Sequence, residues 1–337
     1  MMVASRRRLS LALNQVSRLY GIRLNRHYSY NSYYRANVAF RAETDQGVYL
    51  IKPVPNEYLR VLRAHRWVRM LESAGYPHIP HWLRSLKGKP IVRLNRRYYY
   101  MTSWIEGKEL GAAEPELEEL GRVLGRLHQT SKQLLEGTCG ASYTGLFWNK
   151  QVLLKKQFTL HLPRLMRHKG RIGRWFRRER GRCVLLAAEA ARTLRSAGVQ
   201  ALLRSEKLRP AIIHGDVTRP NIVCTDERIY LIDWDRARRG SVYMELAKLL
   251  TNTTHFSIPL MAAALRGYEE QCPLTREERL LVSALFRMPS EVWYAARDIA
   301  AGKSTAPALF DTVEKTWSSR LAAIAWLDRW AAGGLTS

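Results

Sequence analysis

Negative charge is what this chain has least of. Its 337 residues hold 29 Asp and Glu against 55 Lys and Arg, a formal net charge of +26. A surplus of that size disfavours cationic partners and favours anionic ones. Cysteine is also scarce: Cys139, Cys183, Cys224 and Cys272 lie far apart with no Cys-x-x-Cys, which excludes a zinc ribbon or a compact disulfide framework and suits a reducing cytoplasm. No apolar run reaches the roughly 18 residues of a membrane span. The opening "MMVASRRRLSLALNQVSRLYGI" has the basic start of a signal peptide, but its Leu-Ala-Leu stretch is too short for the apolar region. It reads instead as a first helix packed on a small lobe. With 46% hydrophobic and 25% charged residues the chain can bury a sizeable core in one enzyme-sized unit of two lobes.

Against that scarcity, five acids, an Asn and a His crowd into "IIHGDVTRPNIVCTDERIYLIDWD". Ala211, Ile212 and Ile213 form an apolar run ending at His214-Gly215-Asp216. Ile229 to Ile232 form another ending at Asp233, with a polar turn over Thr225 to Arg228. Two short strands joined in this way bring the ends of the segment together. Asp216, Asn221 and Asp233 then face one point, although seventeen positions separate the outer two. Two carboxylates and an amide oxygen are hard ligands of the kind Mg²⁺ accepts beside substrate phosphates. The spacing matches the phosphoryl-transfer template, in which an Asp takes the proton of the attacking hydroxyl while an Asn and a second Asp hold metal.

The pattern His-Gly-Asp-x-x-x-x-Asn followed by Ile-Asp-x-Asp resembles the aminoglycoside phosphotransferase and choline kinase group, kinase-like enzymes that phosphorylate small molecules. The resemblance implies an α+β, bilobal protein kinase-like fold. A small antiparallel-sheet lobe over 1–103 would bind nucleotide, and a larger, mainly helical lobe over 104–337 would carry the catalytic and acceptor sites. It implies Asp216 as catalytic base, Asn221 and Asp233 as Mg²⁺ ligands, His214 as a buried support for the loop, and Mg²⁺ and ATP as cofactors. Asp235 is either a further metal-side carboxylate or the cap of its turn.

The kinase-like template also requires a lysine at the end of a small-lobe strand. In "NVAFRAETDQGVYLIKPVP", Val38, Phe40 and Ala42 alternate with polar or small neighbours, Thr44 to Gly47 form a hairpin turn, and Val48 to Ile51 return. Lys52 ends that strand, with Pro53 and Pro55 as terminators, and would reach the nucleotide phosphates. A helix over Tyr58 to Ser73, with Leu59, Leu62, Trp67, Met70 and Leu71 as its apolar face, offers Glu72 as the partner of Lys52 or as a surface ion pair among arginines. The glycine-rich phosphate loop is absent; "HYSYNSYYR" stands in its place. Thr102, Ser103, Trp104 and Ile105, after a strand over Tyr98 to Met101, would be the hinge that seats the base. Glu116 to Gln133 reads as an amphipathic helix on which His128 is packed rather than catalytic.

The words "RVLRAHRWVRMLESAGYPHIPHW", "YYMTSWIEGKEL", "LGRLHQTS" and "LFRMPSEVWYAARD" are similar, in that order, to the spore-coat-associated CotS-type branch, from about Val16 to Trp330. Glu245 departs from that branch in standing where Asp is usual. The likeness implies a location, possible contact with an acidic coat or scaffold partner, and no particular acceptor beyond a small-molecule hydroxyl. From Lys155 to Arg182 eleven Lys and Arg accompany one acid, Glu179. This stretch suits an anionic acceptor, an acidic scaffold, nucleic-acid phosphates or a simple solvated face. Trp175 and Phe176 within it suit base stacking or one buried helix face. No nucleic-acid-binding motif accompanies the charge, which speaks against nucleic acid as the main partner. A turnover-deficient, kinase-shaped scaffold is the contrary reading of the whole chain.

Overall fold

A computed structural model describes residues 2–31, 36–54, 57–141 and 143–333, with side chains from Arg8 onward. The chain folds into two compact units, each assembled from more than one stretch of sequence. The first comprises Met1–Leu110, His214–Asp216 and Pro220–Arg238; the second comprises Gly111–Ile213, Val217–Arg219 and Arg239–Ser337. No helix among the described residues is long and apolar enough to cross a membrane.

The first unit begins with α1 (Met2–Leu19), β1 (Leu24–Tyr30), β2 (Ala39–Thr44), β3 (Gly47–Val54), α2 (Tyr58–Ser73), β4 (Ile91–Leu94), β5 (Arg97–Ser103) and β6 (Lys108–Glu109). Five of the strands form one antiparallel sheet in the order β1-β2-β3-β5-β4. The predicted hairpin is the β2–β3 turn, Thr44 pairing with Gly47. Strand alternation sorts the side chains by face. Phe40, Ala42, Ile51, Tyr99 and Met101 form one core with Leu13 and Val16 of α1, so the first helix packs on the small sheet as expected. On the other face, Lys52 stands directly opposite Tyr100.

Two details differ from expectation. β3 runs past Lys52 to Val54, with Pro53 opposite Tyr99. The missing N–H of Pro53 is tolerated because its partner β2 stops pairing at Phe40 and Ile51. Pro55, the other expected terminator, and residues 32–35 of "HYSYNSYYR" lie outside the described residues. The buried face of α2 is Val61, Ala64, His65, Val68 and Leu71, and Leu59 is exposed.

The second unit is mostly helical. It contains α3 (Glu114–Leu134), α4 (Tyr143–Arg167), α5 (Arg171–Leu194), α6 (Ala197–Ser205) and β7 (Ala211–Ile213). Beyond β8 (Ile222–Cys224) and β9 (Ile229–Leu231), which belong to the first unit, come β10 (Arg238–Gly240), α7 (Val242–Asn252), α8 (Ile258–Gln271), α9 (Arg276–Arg287), α10 (Ser290–Ala300) and α11 (Ala306–Gly333). Helices α3 and α8 cross closely because glycine lines the crossing: a Cβ on Gly121 would overlap the Ala264 carbonyl, and one on Gly267 the Glu118 carbonyl. His128 is buried between Tyr268, whose hydroxyl is 2.8 Å from Nδ1, and Glu245, 2.9 Å from Nε2. Its packed reading holds, and Glu245 is its partner.

Trp175 and Phe176 are fully buried, the Trp175 ring edge-on to Phe310 and Trp317. They form the apolar face of α5 and are unavailable for stacking on bases. Glu179 accepts from the Trp317 indole at 2.8 Å and pairs with Arg178 and Arg182.

Candidate active site

The catalytic block folds differently from the two-strand hairpin expected. The turn over Thr225 to Arg228 joins β8 to β9, which pair antiparallel from Ile222–Leu231 to Cys224–Ile229. β7 lies in the other unit. The strand β8 was hidden because only Ile222, Val223 and Cys224 separate Asn221 from the turn, too short a run to show alternation.

His214 ties the two ends of the block together. It is fully buried; Nε2 donates to the Ile232 carbonyl at 2.9 Å, and Nδ1 accepts from the Asp216 N–H at 3.3 Å. That pair of bonds requires a neutral ring protonated on Nε2. Asp216 is thereby held in register with the residue before Asp233. Gly215 sits in the left-handed region at φ 86°, and a Cβ there would crowd the Arg236 carbonyl. Asp233 is left-handed too (φ 61°, ψ 55°), an uncommon state for a residue with a Cβ. It is pinned from both sides: the Ile232 N–H donates to the Asn221 carbonyl at 2.9 Å, and the Trp234 indole donates to the Leu231 carbonyl at 2.6 Å.

Lys52 meets this turn. Its ammonium lies 2.5 Å from Asp233 Oδ1 and 2.9 Å from Asp235 Oδ2. The other oxygen of Asp235 accepts from the Tyr100 hydroxyl at 2.6 Å, and the Tyr100 ring stacks on Trp82 at 4.2 Å. Burial opposes the charge on Lys52, yet the two carboxylates outweigh it and hold its pKa above the ordinary value. Burial likewise works against ionisation of Asp233, but the Lys52 ammonium prevails and its pKa is lowered. Tyr100 is pushed well up, by burial first and then by the two acids.

Of the two readings open for Glu72, partner of Lys52 or ion pair among arginines, the structure shows the second. The Glu72 carboxylate lies 3.9 Å from Arg69 and 3.8 Å from His81, and burial pushes its pKa up. The ion pairs of Lys52 among the described residues are with Asp233 and Asp235. Of the two readings left for Asp235, neither foresaw this contact. Tyr100 was also missed, although its place opposite Lys52 follows from strand parity once the register is known.

Thr102, Ser103, Trp104 and Ile105 line an open cleft of about 500 Å³ together with Leu50, Trp82, Tyr100, Ile232 and Asp233. The N–H groups of Ser103 and Trp104 are already bonded to the carbonyls of His81 and Val48, at 2.8 and 3.1 Å. A planar, largely apolar group with a few polar edges suits such a lining.

For a cation, the donor chemistry fits. Asn221 Nδ2 donates to the Asp216 carbonyl at 2.9 Å, which leaves its Oδ1 to act as a ligand beside the Asp233 carboxylate. Among the described residues no three His, Cys, Asp or Glu side chains cluster to hold a metal, so such an ion would need oxygens from a phosphate as well. Arg236 pairs with Asp216 at 3.6 Å.

Residues 34–281 match the model of the Phosphotransferase enzyme family. The chain belongs to that family. It is therefore a phosphotransferase, and its solved relatives share the kinase-like fold expected from the sequence. An aminoglycoside phosphotransferase from Alicyclobacillus acidocaldarius superposes with a TM-score of 0.76 at 17% identity, over 92% of this chain and 93% of that one. A spectinomycin phosphotransferase in complex with ADP and spectinomycin gives 0.60 at 15%, over 94% and 93%. An amicoumacin kinase in complex with AMP-PNP, Ca²⁺ and Ami gives 0.61 at 15%, over 96% and 95%. No curated protein matches the sequence.

Proposed function

We propose that this phosphotransferase moves the terminal phosphoryl group of Mg-ATP to a hydroxyl of a small molecule. The observation that carries the reading is the meeting of Lys52 with Asp233, 181 positions apart, beside a loop that holds Asp216 through His214. In this reading Asp216 orients the acceptor hydroxyl and takes its proton. Asn221 and Asp233 hold Mg²⁺, which supplies charge neutralisation on the phosphates. Lys52 exchanges a carboxylate for a phosphate oxygen when nucleotide enters. The base lies in the cleft against Thr102, Ser103, Trp104 and Ile105. Because the Ser103 and Trp104 N–H groups already bond to the His81 and Val48 carbonyls, the donor to the base in this reading is the Ile105 N–H. Most of the rate enhancement would be positioning and electrostatics. Glu72 braces the cleft wall through His81 and takes no part in gripping phosphate. The lobe boundary at 103/104 then falls inside the hinge. Solved relatives that carry spectinomycin and amicoumacin support an acceptor of small-molecule size. The ordered resemblance to the CotS-type branch supports a cytoplasmic enzyme associated with the spore coat.

A second reading is favoured by one contact. Lys52 ion-pairs with both Asp233 and Asp235, so their convergence is held without a metal and fits a kinase-shaped scaffold that docks on acidic coat partners. Thermal melting with Mg²⁺ and ATP, beside Asp233→Asn and Asp216→Asn, separates the two. For the enzyme, wild type and Asp216→Asn gain several degrees, Asp233→Asn gains none, and only wild type transfers phosphate. Absence of any shift at millimolar nucleotide leaves the scaffold; transfer that survives Asp216→Asn removes the assigned base.

A further inference from the structure

Helix α4 presents an outward face that the phosphotransferase reading does not use. Its 25 residues contain no acid, and five of them are Lys or Arg. Its buried positions, Gln151, Leu154, Phe158 and Leu165, share one side, and the helix packs there against α5 and α10. Leu146, Leu153 and Leu160 recur every seven residues on the opposite side and are 59%, 56% and 78% exposed. At 1.5 Å per residue they form a line roughly 21 Å long. Lys150, Lys156, Arg164 and Arg167 flank that line and are exposed. Among the described residues none of these four makes an ion pair.

Three large apolar side chains aligned on one exposed helix face form a patch of the kind that marks an interaction site. A partner must accept a leucine ridge and a surrounding field of cations at once. Nucleic-acid phosphates answer the cations and give the leucines nothing, and the aromatic residues of the neighbouring α5 that would stack on bases are buried. An anionic bilayer answers both, since leucines enter the acyl boundary while lysine and arginine stems extend to the headgroups.

We infer that the outward face of α4 docks this protein, lying in the plane of the interface, on a membrane surface rich in anionic lipid. Leu146, Leu153 and Leu160 supply the insertion, and Lys150, Lys156, Arg164 and Arg167 the attraction.

The test is flotation of the full chain with phosphatidylcholine vesicles, with and without phosphatidylglycerol, and with DNA and polyglutamate as competing polyanions. Wild type is expected to float with the anionic vesicles only. Replacing Leu146, Leu153 and Leu160 by Ser lowers partition by about tenfold or more, with an unchanged melting temperature because the three are exposed. Each replacement of Lys150, Lys156, Arg164 or Arg167 by Gln lowers it by about fivefold. Equal flotation of wild type and the leucine variant reduces the face to charge adsorption and overturns the inference. So does binding to neutral and anionic vesicles alike, or DNA or polyglutamate displacing the chain from vesicles at equal charge concentration.

Discussion

Replacing Lys52 by Met removes the ammonium that pairs with both Asp233 and Asp235. The side chains of Lys52 and Asp235 are each 14% exposed and that of Asp233 is 39% exposed. Breaking a fully buried ion pair by deleting one partner costs about 3–5 kcal/mol, and losing a surface pair costs about 0–1. Asp233 reaches water and Asp235 keeps the Tyr100 hydroxyl, so the cost falls between those limits, at about 2 kcal/mol. With an unfolding entropy of about 2.1 cal/mol/K per residue, that lowers the melting temperature by about 3 °C. The pH dependence has a definite sign. The lowered pKa of Asp233 contributes stability above the unfolded carboxyl value of about 4, lost as pH falls through the folded one. The raised pKa of Lys52 contributes below about 10.4, lost as pH rises through its folded value. The gap between wild type and variant is therefore flat from about pH 5 to pH 9 and closes toward acid. Calorimetry at several pH values measures it. Mg²⁺ without nucleotide should also raise the melting temperature of the variant more than that of wild type, because two carboxylates then lack the Lys52 ammonium. A variant as stable as wild type at pH 7, with no response to bare Mg²⁺, would refute the reasoning.

Tyr100→Phe deletes the hydroxyl that fixes Asp235 but keeps the ring on Trp82. It is expected to cost about 1–2 kcal/mol and to raise KM for nucleotide more than it lowers kcat, as initial rates will show. In the second unit, Arg320 is buried, pairs with Glu291 at 2.8 Å and donates to the carbonyls of Phe286 and Met288. Arg320→Met should cost about 3–5 kcal/mol in denaturant melts. The deficit shrinks as pH falls, because Glu291, already pushed up by burial, is then neutral. Gly267→Ala forces a Cβ into the Glu118 carbonyl, and urea titration should report a loss of about 1–3 kcal/mol with the same m-value.

Much of the site was legible because short-range chemistry announces it. His214-Gly215-Asp216, Asn221 and Asp233 are polar residues set between apolar runs, and Lys52 stands on a strand whose alternation is plain. The α2 boundaries were legible too, whereas its buried face was not: Leu59 and Leu62 are as apolar as Val61 and Ala64, and only packing chooses between them. Strand β8 escaped notice because three residues carry no period. Glu72 stayed open between Lys52 and the neighbouring arginines for a related reason, since separation along the chain says nothing of which way a helix faces.

By itself, the sequence determined the residue types of a phosphate-handling site, the order of its elements and the charge surplus, all properties carried by local patterns of polarity. Only the tertiary structure decided that Lys52 pairs with Asp233 and Asp235, that Tyr100 buttresses them, and that Trp175 and Phe176 are core while three leucines of α4 face outward. Those outcomes depend on strand register and on which helix face meets a neighbour. Both are fixed by contacts between residues far apart in the chain, which no local pattern encodes.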